Sequence, residues 1–118
     1  MKGYNKKLGQ WGEQLAARFL SKKGYTLIDH NYYTRRGEID LICVKDNDIV
    51  FVEVKTRTSR AFGYGEETVT EFKYEKAWAT IEKYLQKNKT DLNPRYDVVV
   101  VEFEGIEPRF IHYEAVEI

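Results

Sequence analysis

The sequence predicts a mixed α/β fold: a β-sheet flanked by helices, in the element order αβββαββ. Three observations carry that prediction. Apolar residues recur at helical spacing over 6–23 and again over 69–87. Between them, "GEIDLICVKDNDIVFVEVK" (37–55) alternates like two strands joined by a polar turn. After the second helix, "YDVVVVEF" (96–103) places four valines in a row, as a strand buried on both faces does.

The first helix rests on Leu8, Trp11, Gly12, Leu15, Ala16, Phe19 and Leu20, spaced i, i+3, i+4, i+7, and Gly24 is its stop signal. "YTLIDHNYY" (25–33) reads as a strand, with "TRRG" as the turn that follows. Residues 38–44 and 48–56 form a hairpin around KDND. A glycine-containing stretch, 59–67, leads to the second helix. There Tyr74, Ala77, Trp78, Ile81, Tyr84 and Leu85 make one stripe, with Thr68 and Glu71 as a capping box or Thr70 as the cap. The valine-rich strand then lies parallel to a hairpin strand, with the second helix as crossover. Residues 109–116 make a last strand, entered through Pro108.

A chain of 118 residues is expected to form one domain, 1–118, around one core. Formal charge balances, with 19 basic and 19 acidic residues, so global charge gives no argument for nucleic acid. Charge is uneven along the chain, however. Residues 1–36 hold eight Lys/Arg against two Asp/Glu, whereas 37–118 hold eleven against seventeen. The first third therefore offers either a local basic surface or a solvated helix face. A single cysteine, Cys43, excludes an internal disulfide and a cysteine-based zinc site, and its apolar strand suggests a buried hydrophobe. No apolar run approaches a membrane span and nothing resembles a signal peptide, so a cytoplasmic location without membrane contact is expected.

The hairpin raises a chemical question. Alternation puts Glu38 and Asp40 on one strand face, with Ile39, Leu41 and Cys43 on the other. In the next strand Phe51, Glu53 and Lys55 share a face, opposite Val50, Val52 and Val54. Pairing through the turn brings Asp40 near Glu53 and Lys55, toward the open end of the hairpin. Two carboxylates there suit a hard divalent cation, and a lysine beside them can hold a water or stabilise phosphate charge. A cross-strand salt bridge on a solvated face accounts for the same residues.

"GEIDLI" followed by "FVEVKTR" resembles the PD-(D/E)XK nuclease signature of the restriction-endonuclease-like fold, with twelve residues between Asp40 and Glu53. From "LGQWGEQLAARFL" through "GYTLIDHNY" to "YDVVVV", the chain resembles the YraN-like family of small bacterial proteins, which is similar in fold to archaeal Holliday junction resolvases. The resemblance implies a restriction-endonuclease-like mixed sheet and a Mg²⁺- or Mn²⁺-dependent endonuclease acting on DNA, with branched or structured DNA as the substrate class. It implies Asp40 and Glu53 as metal-binding acids, with the Val54 carbonyl as a third ligand, Lys55 as catalytic lysine and Glu13 as an extra acid near the metal. Ile39 stands where the signature has proline. Relatives of this kind act as homodimers, so a homodimer is expected.

Arg35, Arg36, Arg57 and Arg60 flank the implied site as candidate phosphate contacts or surface charges. Lys73 matches a family lysine near the start of the second helix and joins them as a candidate nucleic-acid contact. His30 and His112 have no ligand spacing and receive no role. Trp11, Trp78 and the tyrosine stripe read as core before base-stacking platforms. The alternatives to a nuclease are a nucleic-acid-binding module that does not cut, and a protein-interaction domain that keeps the fold.

Overall fold

The computed structural model describes residues 2–58 and 71–117, with side chains from Lys6 onward. Arg60, both proposed caps of the second helix (Thr68 and Thr70) and the stretch 59–67 lie outside the described residues. The elements are α1 (Lys2–Lys22), β1 (Thr26–Tyr33), β2 (Glu38–Lys45), β3 (Asp48–Arg57), α2 (Glu71–Lys87), β4 (Asn93–Glu104) and β5 (Glu107–Tyr113). The order αβββαββ is as expected. One five-stranded sheet runs β1-β2-β3-β4-β5, antiparallel except for the parallel β3–β4 pair that α2 connects.

Two apolar layers sandwich this sheet. Ala16 and Leu20 of α1 pack on Leu41, Cys43, Val50, Val52, Val99 and Val101. Ala77, Ile81 and Tyr84 of α2 pack on the other face, against Ile42, Ile49, Phe51, Tyr96, Val98 and Val100. Alternate residues of β3 and β4 thus serve opposite cores, and all four valines of 98–101 are buried. Cys43 is buried as expected, and burial pushes its thiol up to about 12, which makes it inert.

Gly24 ends α1 as its position suggests. Its φ of +95° is one that a side chain resists. Gly24 N–H donates to the Ser21 carbonyl at 3.0 Å and Tyr25 N–H to that of Leu20 at 3.0 Å, the paired bonds of a Schellman cap. Earlier in α1, a Cβ built on Gly12 would collide with Thr56 Oγ1 of β3, so glycine sets how closely the helix approaches the sheet.

Two boundaries and one side chain depart from expectation. β4 begins at Asn93 because its parallel ladder with β3 starts at Asp48↔Asn93, supported by Asn93 N–H donating to the Asn47 carbonyl at 2.9 Å. β5 stops at Tyr113, since Ala115 takes a φ of +51° and Val116 N–H turns back to the Tyr96 carbonyl at 2.8 Å. Trp11 is not core: it is 50% exposed and stacks on Phe103 with ring centroids 4.9 Å apart. Among the described residues, no helix is long and apolar enough to cross a membrane.

Candidate active site

β2 and β3 pair from Lys45↔Asp48 to Leu41↔Val52, and the ladder stops there. The next donor on that edge of β3, Val54 N–H, goes instead to Asp40 Oδ2 at 2.8 Å. The expected sharing of a face by Ile39, Leu41 and Cys43 does not hold. Ile39 packs into the α2-side core, whereas Leu41 and Cys43 pack on the α1 side. Residues two apart share a face in a regular strand, so the alternation breaks at Asp40. The physical reason is the splayed ladder. Where β2 leaves β3, a carboxylate replaces a strand carbonyl as acceptor, and Asp40 occupies the gap.

Glu53 and Lys55 reach the α2 side of this gap. Tyr96 O–H donates to Glu53 Oε1 at 2.8 Å, and Lys55 Nζ lies 2.9 Å from Oε2. Burial, and then the neighbouring Glu53 carboxylate, hold the Tyr96 phenol well above its ordinary range, so it remains a donor that fixes Glu53. From the α1 side comes Glu13, partly buried, with Asn31 Nδ2 donating to its Oε1 at 3.0 Å.

These acids act on one another. Burial raises the Asp40 carboxyl to about 7; the Val54 N–H bond opposes the shift, and Glu13, Glu38 and Glu53 add to it. Glu38 is also raised, by partial burial first and then by Glu13 and Glu53. Near neutral pH this cluster has an unmet demand for positive charge.

A divalent cation suits that demand by donor type. Asp40, Glu53 and the Val54 carbonyl offer only oxygen, as hard cations prefer. The N–H and C=O of one strand residue point toward the same neighbour, so the Val54 carbonyl also faces the Asp40 side, beyond the end of the ladder. Among the described residues, no group of three or more His, Cys, Asp or Glu side chains is assembled as a ligand set. Two carboxylates and a carbonyl would leave several positions to water and substrate oxygens, as Mg²⁺ tolerates.

The expected phosphate contacts come from three elements. Arg35 and Arg36 are exposed at the tip of the β1–β2 turn, which Thr34 N–H closes on the Gly37 carbonyl at 2.8 Å. Arg57 ends β3 and is partly buried; Lys73 is exposed near the start of α2. Arg60 lies outside the described residues.

Sequence reasoning missed a second polar centre, on the α1 face of β4 and β5. Asp97 is fully buried. It accepts from Arg95 Nε at 3.0 Å and NH2 at 2.8 Å, from the Ala115 N–H at 3.0 Å, and from His112 Nε2 at 2.7 Å. His112 Nδ1 faces the Lys23 ammonium at 2.7 Å; that donor makes Nδ1 the acceptor and Nε2–H the group bonded to Asp97. Burial alone would raise the Asp97 carboxyl, but the bonds from His112, Arg95 and Ala115 hold it below its ordinary value. Arg95 and Asp97, two apart on one strand, were the available cue that they share a face.

Residues 12–101 match the uncharacterised protein family UPF0102. The chain belongs to the UPF0102 family. A UPF0102 protein of Alkaliphilus oremlandii is 44% identical over 113 residues, covering 93% of this chain and 97% of that protein. One from Caldanaerobacter subterraneus is 46% identical over 103 residues, covering 86% and 84%. A third, from Syntrophomonas wolfei, is 61% identical over 66 residues, which span 56% of this chain and 57% of that protein. Asp40, Glu53 and Lys55 all fall within the segment that matches the UPF0102 family.

Proposed function

We propose that this protein is a divalent-metal-dependent nuclease that hydrolyses phosphodiester bonds, with branched or structured DNA as its substrate class. One observation carries the reading: the half-buried Asp40 carboxylate sits where β2 leaves β3 and accepts the Val54 N–H at 2.8 Å, and its surroundings, desolvation first and then Glu13, Glu38 and Glu53, raise its carboxyl to about 7. An acid held in that condition beside three other carboxylates is poorly explained as a solvated salt bridge. A cation relieves both the burial and the repulsion.

In this reading Asp40, Glu53 and the Val54 carbonyl hold Mg²⁺ or Mn²⁺, which supplies Lewis-acid stabilisation of charge on the scissile phosphate. Tyr96 orients Glu53 through its 2.8 Å hydrogen bond. Lys55 Nζ, at 2.9 Å from Glu53, is placed to orient the attacking water and to donate to developing charge. Arg35 and Arg36, at an exposed turn tip, contact flanking phosphates and fix register without reading sequence.

One observation favours a second reading, a nucleic-acid-binding module that does not cut. Both oxygens of Glu53 already have partners, Tyr96 and Lys55, which a metal ligand must share or exchange. The experiment is a cleavage assay on single-stranded, duplex and four-way-junction DNA with Mg²⁺ or Mn²⁺. Wild type should cut at least one substrate, and Lys55→Ala should lose at least about a hundredfold in rate. Binding without cutting in every condition supports the second reading.

A further inference from the structure

Beside the candidate site, a cleft of about 470 Å³ opens between α1 and β1. Its wall is apolar, made by Ala17, Leu27 and Leu41. Its rim is polar, and its donors and acceptors can be assigned. Gln10 and Gln14, four residues apart, present two side-chain amides from one face of α1. Asn31 Nδ2 donates to Glu13 Oε1 at 3.0 Å, so Asn31 Oδ1 is an acceptor. His30 Nδ1 sits 3.0 Å from that oxygen and must therefore carry the proton. In the neutral ring, Nε2 is left as an acceptor. Among the described residues, Glu13 Oε2 and both glutamine amides have no hydrogen-bond partner.

The strand is distorted to build this edge. The register of β1 shifts between Leu27 and Asp29, and Asn31 takes a φ of +49°. Non-glycine residues enter that region rarely, and strain of this kind gathers where a side chain must be aimed. Here the result is that the adjacent side chains of His30 and Asn31 bond to each other, and Asn31 then reaches Glu13.

A cleft lined by apolar side chains together with a carboxylate, an imidazole and amides fits a heterocycle with donor groups on its edge. We propose that this cleft is a purine subsite, which takes one base of the nucleic acid that the neighbouring site cuts. The assignment of the heterocycle to nucleic acid rests on the nuclease reading. Glutamine amides pair bidentately with an adenine edge, and carboxylate and imidazole acceptors suit exocyclic amino and ring N–H donors. Thymine has no amino group and satisfies fewer of these partners. The Glu13 carboxylate repels phosphate, so the base rather than the backbone enters. Glu13 also lines both places, which puts the bound base beside the phosphate that Asp40 and Glu53 face.

The test is an NMR titration of the full chain in Ca²⁺, a hard cation that lets phosphate approach the acids around Asp40. The probes are adenosine, guanosine and thymidine 5′-monophosphates, and short single-stranded oligonucleotides rich in each base. Saturable shifts should be confined to Gln10, Gln14, Ala17, Asn31 and their neighbours. At least one purine should bind about fivefold or more tightly than thymine, and its oligonucleotide more tightly than its mononucleotide. Asn31→Gly keeps the unusual backbone accessible and removes the bridge; purine binding should weaken about tenfold. Gln14→Trp, made at an exposed helix position, fills the cleft and should abolish binding. Equal response to purine and thymine, shifts elsewhere on the surface, or wild-type binding by Gln14→Trp overturns the proposal. So does mononucleotide binding that oligonucleotides do not share. The readout involves no cleavage. Purine binding without DNA cutting would therefore sink the nuclease reading alone, and cutting without purine discrimination would sink the cleft assignment alone.

Discussion

Asp40 and Asp97 are both aspartates on central strands, and their surroundings drive them in opposite directions. Asp97 is charged in the folded state because Arg95, His112 and a backbone N–H converge on it. Its carboxyl lies below the unfolded value of about 3.9, so it stabilises the fold above that pH and the contribution is lost as pH falls through the folded value. The melting temperature should therefore drop below about pH 4, and Asp97→Asn should cost about 3–5 kcal/mol at neutral pH in urea unfolding. Asp40 behaves in reverse. Its folded value of about 7 means that stability is greatest when it is protonated and declines as pH rises from about 4 through 7. Without metal, wild type should lose about 1–2 kcal/mol across that window after solvent screening. Asp40→Asn should flatten the decline, as melting temperatures from pH 5 to 8 will show. Asp40 was legible in the sequence because KDND fixes a hairpin register that sets it near Glu53. Asp97 was not, because its partners lie on two other segments and His112 carries no spacing signal of its own.

Elements were legible where a periodic pattern and a local stop signal agreed. α1 is such a case, with its apolar stripe and Gly24, whereas the valine run of β4 marks the middle of the strand and leaves its ends open. They were less legible where tertiary contacts decide the outcome. β4 is longer than its apolar run because the parallel ladder with β3 starts at Asn93. β5 is shorter than its own apolar run because Asp97 and Tyr96 capture the backbone at Ala115 and Val116. Nor can strand alternation foresee the break at Asp40, which exists because β2 parts from β3 beyond Leu41↔Val52. The packing of α1 on β3 yields a direct prediction. Gly12 faces Thr56 too closely for a Cβ, so Gly12→Ala should destabilise the protein by about 1–3 kcal/mol despite alanine's better helix propensity. Gly12→Ala combined with Thr56→Ser, which removes a methyl but keeps the clashing hydroxyl, should recover little. Gly12→Ala with Thr56→Ala should recover most of the loss in the same denaturation series.

At the scale of the whole molecule, formal charge is zero but the first 36 residues are strongly basic and the remainder acidic. A neutral protein holds a polyanion only if its charges segregate, and the acids around Asp40 repel phosphate until a cation bridges them. Binding to DNA should weaken with salt by about 0.9 logarithmic units per phosphate contact. Arg35→Ala with Arg36→Ala should lower that slope by about one to two units in fluorescence anisotropy. A slope the double variant leaves unchanged would remove the β1–β2 turn from the binding surface. The gap where β2 leaves β3 is proposed as a divalent-cation site, and titration calorimetry with Mn²⁺ reaches it without knowledge of the substrate. Wild type should show one saturable site, tighter at pH 8 than at pH 6 because Asp40 must lose its proton, and Asp40→Asn should weaken it at least about tenfold. No saturable binding in wild type, or equal affinity in Asp40→Asn, would contradict the assignment.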